Sequence, residues 1–245
     1  MKIALVGTGR MGRAVAALAA ERGHDVVARF NTRHPLAAAP DASALHGADV
    51  AIDFSLPSLA LDHLTLYCRW NQAAVIGTTG WYDDLDRVRA WVAQSEAAVF
   101  YAPNFSLGIA LVMRALRGVG PLLDRLPEYD VAVHEAHHTG KVDSPSGTAL
   151  LLARVLLDDL ARKTRIEAET QHQPIDADAL HVTSSRVGSV FGAHTVYLDS
   201  PFDQITLTHQ AKNRQGFAFG ALKAAEWLPG RKGLFTLDDL LADWI

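Results

Sequence analysis

Lys2 to Gly23 reads KIALVGTGRMGRAVAALAAERG. A short apolar run, Ile3 to Val6, meets Gly7, Gly9 and Gly12 in G-x-G-x-x-G spacing, and an alanine-rich segment follows as far as Gly23. Strand, tight turn and helix in that order open a dinucleotide-binding βαβ unit, and each glycine has its own task there. Gly7 allows the turn, Gly9 lets the backbone approach a pyrophosphate, and Gly12 lets the helix pack close to the strand. The spacing gains weight from its context, because a second apolar run, HDVVARF, begins directly after Gly23.

The same alternation continues outward. DVAIDF (49–54), AAVIGTTG (73–80) and AAVFYAPNF (97–105) are apolar strands, separated by amphipathic helices from Leu59 to Arg69 and near Asp83 to Ser95. Such a chain predicts an α/β, Rossmann-like doubly wound parallel sheet covered on both faces. Ligands of these sheets lie at the carboxyl ends of the strands, which here carry Ser55, the Gly77-Thr78-Thr79-Gly80 turn and Asn104. After Asn104 the pattern changes. A helix (Leu107 to Leu123), a strand through Val131 and Val133, a long helix from Thr148 to about Lys163, and three alternating segments, LHVTSSRVG, AHTVYLDS and QITLTHQA, predict a second α+β domain with a mixed or antiparallel sheet. GFAFGALKAAEWL is helical and returns to the first domain. The expected division is 1–106 with 216–245 as the dinucleotide-binding domain, and 107–215 for substrate binding and oligomerisation.

The stretch HEAHHTGKVDSPSGTAL (134–150) concentrates titratable and hydrogen-bonding residues. Its H-E-x-x-H would hold zinc on a helix, but Tyr129, Val131 and Val133 alternate with polar or small residues, which means strand. In a strand His134 and His138 stand about 13 Å apart, too far to share one metal ion, so no metal site is expected. Ser146-Gly147-Thr148 precede the apolar run ALLLARVLLDDLA, so free backbone N–H groups, the helix dipole, two hydroxyls and the Lys141 ammonium converge on a site fit for a carboxylate or phosphate.

Composition narrows the class. Of 245 residues 49% are hydrophobic and 20% charged, ordinary for a globular protein of one large or two smaller domains. Carboxylates outnumber Lys and Arg by 27 to 23, which argues against a nucleic-acid or membrane-surface partner. The single cysteine, Cys68, can form no intrachain disulfide, and the apolar run after Met1-Lys2 is too short for a signal segment. A cytoplasmic protein is expected.

Taken together, VGTGRMGR, IDFS, VIGTTGW, APNFSLG, EAHHTGKVDSPSGTAL, GAHTV and HQAKNRQGFAFGAL resemble the 4-hydroxy-tetrahydrodipicolinate (dihydrodipicolinate) reductase family from end to end. The resemblance implies His137 as the acid-base residue and Lys141 as proton donor. It implies substrate contacts at His138, Lys141, Ser146, Gly147 and Thr148, and cofactor contacts at Gly7, Thr8, Gly9, Arg10, Met11, Gly12, Gly77, Thr78, Thr79, Ala102, Asn104 and Phe105. It further implies NADPH or NADH as cofactor, a place in diaminopimelate and lysine biosynthesis, and a homotetramer built through the second domain's sheet. The late strands point the same way, since one long helix covers their apolar faces only in part and an open edge invites pairing. The chain departs from the family in being short between its second and third strands. It also carries Asn31 where an acid is common after the second strand.

The expected activity is hydride delivery to a cyclic, unsaturated small-molecule dicarboxylate. A dianion needs two anion sites, and a helix N-terminus and a lysine supply them. The alternatives are another two-domain NAD(P)-dependent dehydrogenase acting on an amino or oxo acid, a nucleotide-binding module without catalysis, and a zinc hydrolase. With Asn31 in place of an acid and Arg33 two residues on, both nicotinamide cofactors are expected to serve, with a modest lean to NADPH.

Overall fold

Strands buried on both faces carry unbroken apolar runs, and the first 101 residues supply four of them beside one half-exposed edge strand. In the computed structural model, which describes residues 1–244, the chain runs β1 (Lys2–Val6), α1 (Arg10–Glu21), β2 (Asp25–Phe30), β3 (Val50–Asp53), α2 (Ala60–Arg69), β4 (Ala74–Ile76), α3 (Leu85–Ala93) and β5 (Ala98–Tyr101). It continues through α4 (Leu107–Leu123), β6 (Asp130–His137), α5 (Gly147–Asp159), β7 (Arg165–Glu167), β8 (Ala179–Arg186), β9 (Ala193–Asp199) and β10 (Gln204–Gln210). It closes with α6 (Gln215–Trp227), β11 (Gly233–Phe235) and α7 (Leu237–Ala242). Two compact units result, Met1–Leu107 together with the segment from Arg214 onward, and Gly108–Asn213.

In the first unit six parallel strands are ordered β11-β5-β4-β3-β1-β2. The chain leaves β1 for β2 on one side and crosses back to β3 on the other, so the order reverses beside β1. That reversal opens a crevice at the strands' carboxyl ends, where a ligand sits in folds of this kind. Ile3, Leu5, Ile52, Val75 and Val99 are wholly buried, each contributing roughly 1.5–3 kcal/mol of transfer free energy. The last strand, β11, is three residues long, too short to show a period in the sequence.

The second unit holds a mixed sheet, β10-β9-β6-β8-β7, with β6–β8 and β8–β7 parallel and β6–β9 and β9–β10 antiparallel. Val131, Val133, Leu180, Val182, Val196 and Leu198 form one apolar face, packed in a single cluster with Leu116 and Leu123 of α4 and Leu152 and Leu156 of α5. The sequence pointed to one helix and partial cover; two helices cover this face, because the buried positions of α4 belong to the same core. The opposite face carries His134, Thr183, Ser185, Thr195 and Tyr197, as the strict two-residue alternation of β6 dictates. Helix α5 stops at Asp159 rather than near Lys163. Lys163 instead turns its ammonium inward, donating at 2.9 Å to the carbonyls of Ala177 and Ala179. Among the described residues no helix is long and apolar enough to cross a membrane.

Candidate active site

The glycine loop has the geometry its spacing predicts. Gly7 lies at φ +89°, and a Cβ there would come within 2.2 Å of the Phe54 carbonyl oxygen. One on Gly12 would stand 1.9 Å from the Gly7 carbonyl oxygen. Gly9, in contrast, has nothing within 4 Å of that position, so its backbone is open to a ligand. Gly9 N-caps α1 with no side-chain hydrogen bond among the described residues, leaving the first-turn N–H groups at Arg10 and Met11 for an anion. A pyrophosphate fits that cradle.

From Gly7, Thr8 and Gly9 a cleft extends along the ends of β2 and β3, past Asn31, Thr32 and Ser55. Asn31 Oδ1 accepts the N–H groups of Arg33 (2.8 Å) and His34 (3.2 Å), so its carbonyl end is engaged within its own turn. Arg33 is exposed and is not part of the cleft wall. Gly77, Thr78 and Thr79 follow β4, and Ala102, Asn104 and Phe105 follow β5, so all stand at the carboxyl ends of neighbouring strands. Gly77 is glycine because Phe54 fills the space its Cβ would need, at 2.0 Å. Thr78 is buried, Thr79 is exposed, and Asn104 Oδ1 accepts the Ser106 N–H at 2.8 Å.

Between these loops lies a group the sequence reading passed over. Asp53, 1% exposed at the end of β3, accepts from the Ser55 N–H (2.9 Å) and the Tyr67 hydroxyl (2.9 Å) and meets His63 Nδ1 at 2.8 Å. The available signal was an aspartate closing a wholly apolar strand, since a buried carboxylate requires donors.

In the second unit the histidine stretch ends β6, as the alternation requires, so the helical zinc motif does not form. His134 points to the polar face and bonds Thr183 Oγ1 at 2.8 Å. Glu135 and His137 point to the other face, where the apolar core gives way to polar groups. Glu135 is 0% exposed and His137 8%. The Glu135 carboxylate accepts from His137 Nδ1 through one oxygen, and from Arg186 (2.9 Å) and the Ser146 N–H (3.1 Å) through the other. Burial by itself would raise the Glu135 carboxyl, but the Arg186 and His137 hydrogen bonds outweigh it and hold the group at about 2. His194 stands across from Glu135 on β9, its ring 5.2 Å from that of His137 and its Nε2 3.2 Å from Ser146 Oγ. Burial and then the charge of His137 lower His194 to about 4. Gly192 seals the far edge, since a Cβ on it would stand 2.8 Å from His137 Nε2.

Ser146 is buried and caps α5 through the Ala149 N–H at 3.2 Å, whereas Gly147 is exposed and Thr148 half-buried at the same terminus. His138, half-buried, donates its backbone N–H to the Val190 carbonyl at 2.7 Å. The Lys141 ammonium has a partner within its own loop. It donates to Asp143 at 2.7 Å, and that hydrogen bond holds the Asp143 carboxyl below its ordinary value. An internal carboxylate therefore already pairs with this ammonium. Glu135, Arg186 and His194 were not picked out as site residues; the available hints were a glutamate between histidines in a strand and the GAHTV segment that carries His194.

Comparison with known proteins decides the family. The profile described as dihydrodipicolinate reductase, N-terminus, matches residues 1–105, and that described as dihydrodipicolinate reductase, C-terminus, matches residues 108–241. The chain belongs to the dihydrodipicolinate reductase family. A curated 4-hydroxy-tetrahydrodipicolinate reductase of Christiangramia forsetii is 37% identical over 246 residues, covering 99% of this chain and 98% of that protein. One from Natronomonas pharaonis is 37% identical over 256 residues, covering 98% and 99%. Among solved structures, dipicolinate-bound dihydrodipicolinate reductase from Paenisporosarcina sp. TG-14 superposes with TM-score 0.79 at 22% identity, over 96% of this chain and 97% of that one. An engineered D-amino acid dehydrogenase bound to NADP+ reaches TM-score 0.53 at 17% identity, over 100% and 99%. These two likenesses concern the fold. As a dihydrodipicolinate reductase family member, the chain is an NAD(P)H-dependent oxidoreductase, and the open cradle at Gly9 suits that cofactor.

Proposed function

We propose that this chain reduces 4-hydroxy-tetrahydrodipicolinate to tetrahydrodipicolinate with NADH or NADPH, in the diaminopimelate route to lysine. The observation that carries the reading is the buried Glu135–His137 pair at the N-terminus of α5, in a chain whose relatives share the activity over its whole length. When bound, the cofactor supplies a hydride. The first unit's glycine loop holds its pyrophosphate, with the turns after β4 and β5 serving as further contacts. In the second unit, Gly147, Thr148 and Lys141 bind the substrate carboxylates, with Ser146 building the turn and His138 beside it. Hydride addition to a conjugated C=C–C=N system leaves negative charge that a proton must quench. Glu135 accepts from His137 Nδ1 and so fixes the ring's orientation, leaving Nε2 to exchange the proton, and Lys141 serves as a second donor.

The chain is proposed to act in the cytoplasm as a homotetramer associating through the second sheet, whose polar face carries no helix of its own among the described residues. Purified protein mixed with freshly generated 4-hydroxy-tetrahydrodipicolinate should consume the dihydronicotinamide absorbance of NADPH or NADH. Absence of turnover with both cofactors at substrate saturation would rule the assignment out. Light scattering at working concentration tests the tetramer, which a monomeric mass would contradict.

A further inference from the structure

The Asp53 cluster in the first unit takes no part in the chemistry above, yet it holds one polar atom in a conspicuous state. His63 is 2% exposed and lines the cleft that starts at the glycine loop, and its Nε2 has no hydrogen-bond partner among the described residues. Its other nitrogen faces Asp53, with Ser55 Oγ farther off at 3.4 Å. The Ser55 N–H and the Tyr67 hydroxyl both donate to Asp53, one to each oxygen, so the carboxylate acts as acceptor on both. Burial and then the Asp53 charge hold the Tyr67 phenol well above its ordinary value, so it stays a donor. Nδ1, 2.8 Å from the oxygen that Tyr67 also reaches, carries the hydrogen. With Nδ1 committed to Asp53, the unpartnered Nε2 is the nitrogen left to accept from a ligand.

In open α/β sheets the adenosine half of a dinucleotide lies past the end of the second strand, beside the phosphate loop. Here that region is walled by Leu36, Leu56 and Leu59, apolar surfaces suited to the faces of a flat ring, with His63 as its imidazole. We infer that His63 Nε2 reads the exocyclic amine of adenine, and that Asp53 is the positioning residue that sets the acceptor tautomer for this purpose. The inference rests on the nicotinamide dinucleotide reading above and adds the residue that selects the base.

The test uses calorimetric binding of AMP, IMP and purine riboside 5′-monophosphate to the full chain, with NADH as a control ligand. AMP and the purine nucleotide differ only in the 6-amino group. The wild-type chain should prefer AMP by about tenfold, since a pocket built around one hydrogen bond penalises the analogue that lacks it. His63→Leu should bring the two together. In Asp53→Asn the fixed Ser55 N–H keeps the amide oxygen on its side, so the amide nitrogen faces His63, Nδ1 becomes the acceptor and Nε2 gains the hydrogen. The AMP preference should then vanish while IMP, with a carbonyl at the same position, improves. A purely structural role would weaken all three nucleotides alike. Nitrogen-15 shifts of the unliganded wild-type chain should show His63 protonated at Nδ1, a readout that needs no variant. Equal wild-type affinity for AMP and the purine nucleotide, or a hydrogen on Nε2, overturns the inference even if NADH binds well. Failure to bind NADH overturns the cofactor reading and this inference together.

Discussion

Glu135 and His137 stand two residues apart on one face of β6, and the carboxylate of the first accepts from Nδ1 of the second. Because Nδ1 is committed, only Nε2 is left for proton exchange. Glu135→Gln keeps the shape but removes the charge that offsets a doubly protonated ring, and it leaves Arg186 short of its anion. Turnover should fall about 100-fold or more with little change in cofactor affinity. Unchanged kcat in that variant would remove Glu135 from the mechanism.

His137→Ala and Lys141→Ala should each lower turnover by about two to four orders of magnitude, the usual worth of a positioned acid or base. NADPH binding, measured by fluorescence, should change little, because both residues belong to the second unit. Near-wild-type kcat in either variant contradicts its assignment.

Thr148→Val and Ser146→Ala should separate binding from capping. Thr148 is half-buried at the helix terminus, and its loss should raise KM more than it lowers kcat. Ser146 Oγ accepts the Ala149 N–H, and its loss should cost about 1 kcal/mol of stability. A drop in Tm with constant KM for Thr148→Val would make that residue a cap as well.

Stability should fall on the acid side in two stages. His194 drops to about 4 from its ordinary 6.5, so the unfolded chain binds the proton first and stability, complete above about pH 6.5, declines toward pH 4. The loss from this one group is at most about 3 kcal/mol. Glu135, held at about 2 against an ordinary 4.5, adds a second loss below about pH 4.5. His194→Gln should flatten the upper stage of a calorimetric Tm profile, leaving a shallower slope from His209, which burial also lowers. An identical slope in the variant would show that His194 titrates normally.

Both cofactors should serve, with NADPH favoured modestly, because Asn31 repels no 2′-phosphate. Asn31→Asp should shift preference to NADH. Arg33 is exposed and outside the cleft wall, so Arg33→Ala tests whether it reaches the phosphate at all: selective loss of NADPH affinity is expected. Measured kcat/KM favouring NADH by more than about tenfold in the unmodified chain would defeat this account.

What could be read directly was local. The glycine loop, the β6 alternation and the helix start at Ser146 each declare themselves within a few residues, because turn sterics, side-chain period and capping act over that range. The partners of Glu135 did not. Arg186 reaches it through the parallel register of β6 with β8 and His194 through the antiparallel register with β9, and register is a tertiary fact invisible in either strand alone. The same holds for Asp53, whose donors Tyr67 and Ser55 come from a helix and a loop after its strand. Helix α5 was read too long because leucines at helical spacing continue to Leu160, whereas the turn there is set by Lys163 finding backbone carbonyls.

On the proposed reading Lys141, beside the N-terminus of α5, behaves as an ion exchanger. Asp143 already supplies it with a carboxylate, so a substrate enters by displacing a counterion that remains tethered beside it. A single carboxylate merely swaps one anion for an equal one and surrenders its own freedom. Net gain requires a ligand with a second anionic arm, and the site thereby sorts its solutes by valence. The tethered ion also returns without diffusing when the product departs, so the leaving step is assisted by the chain itself.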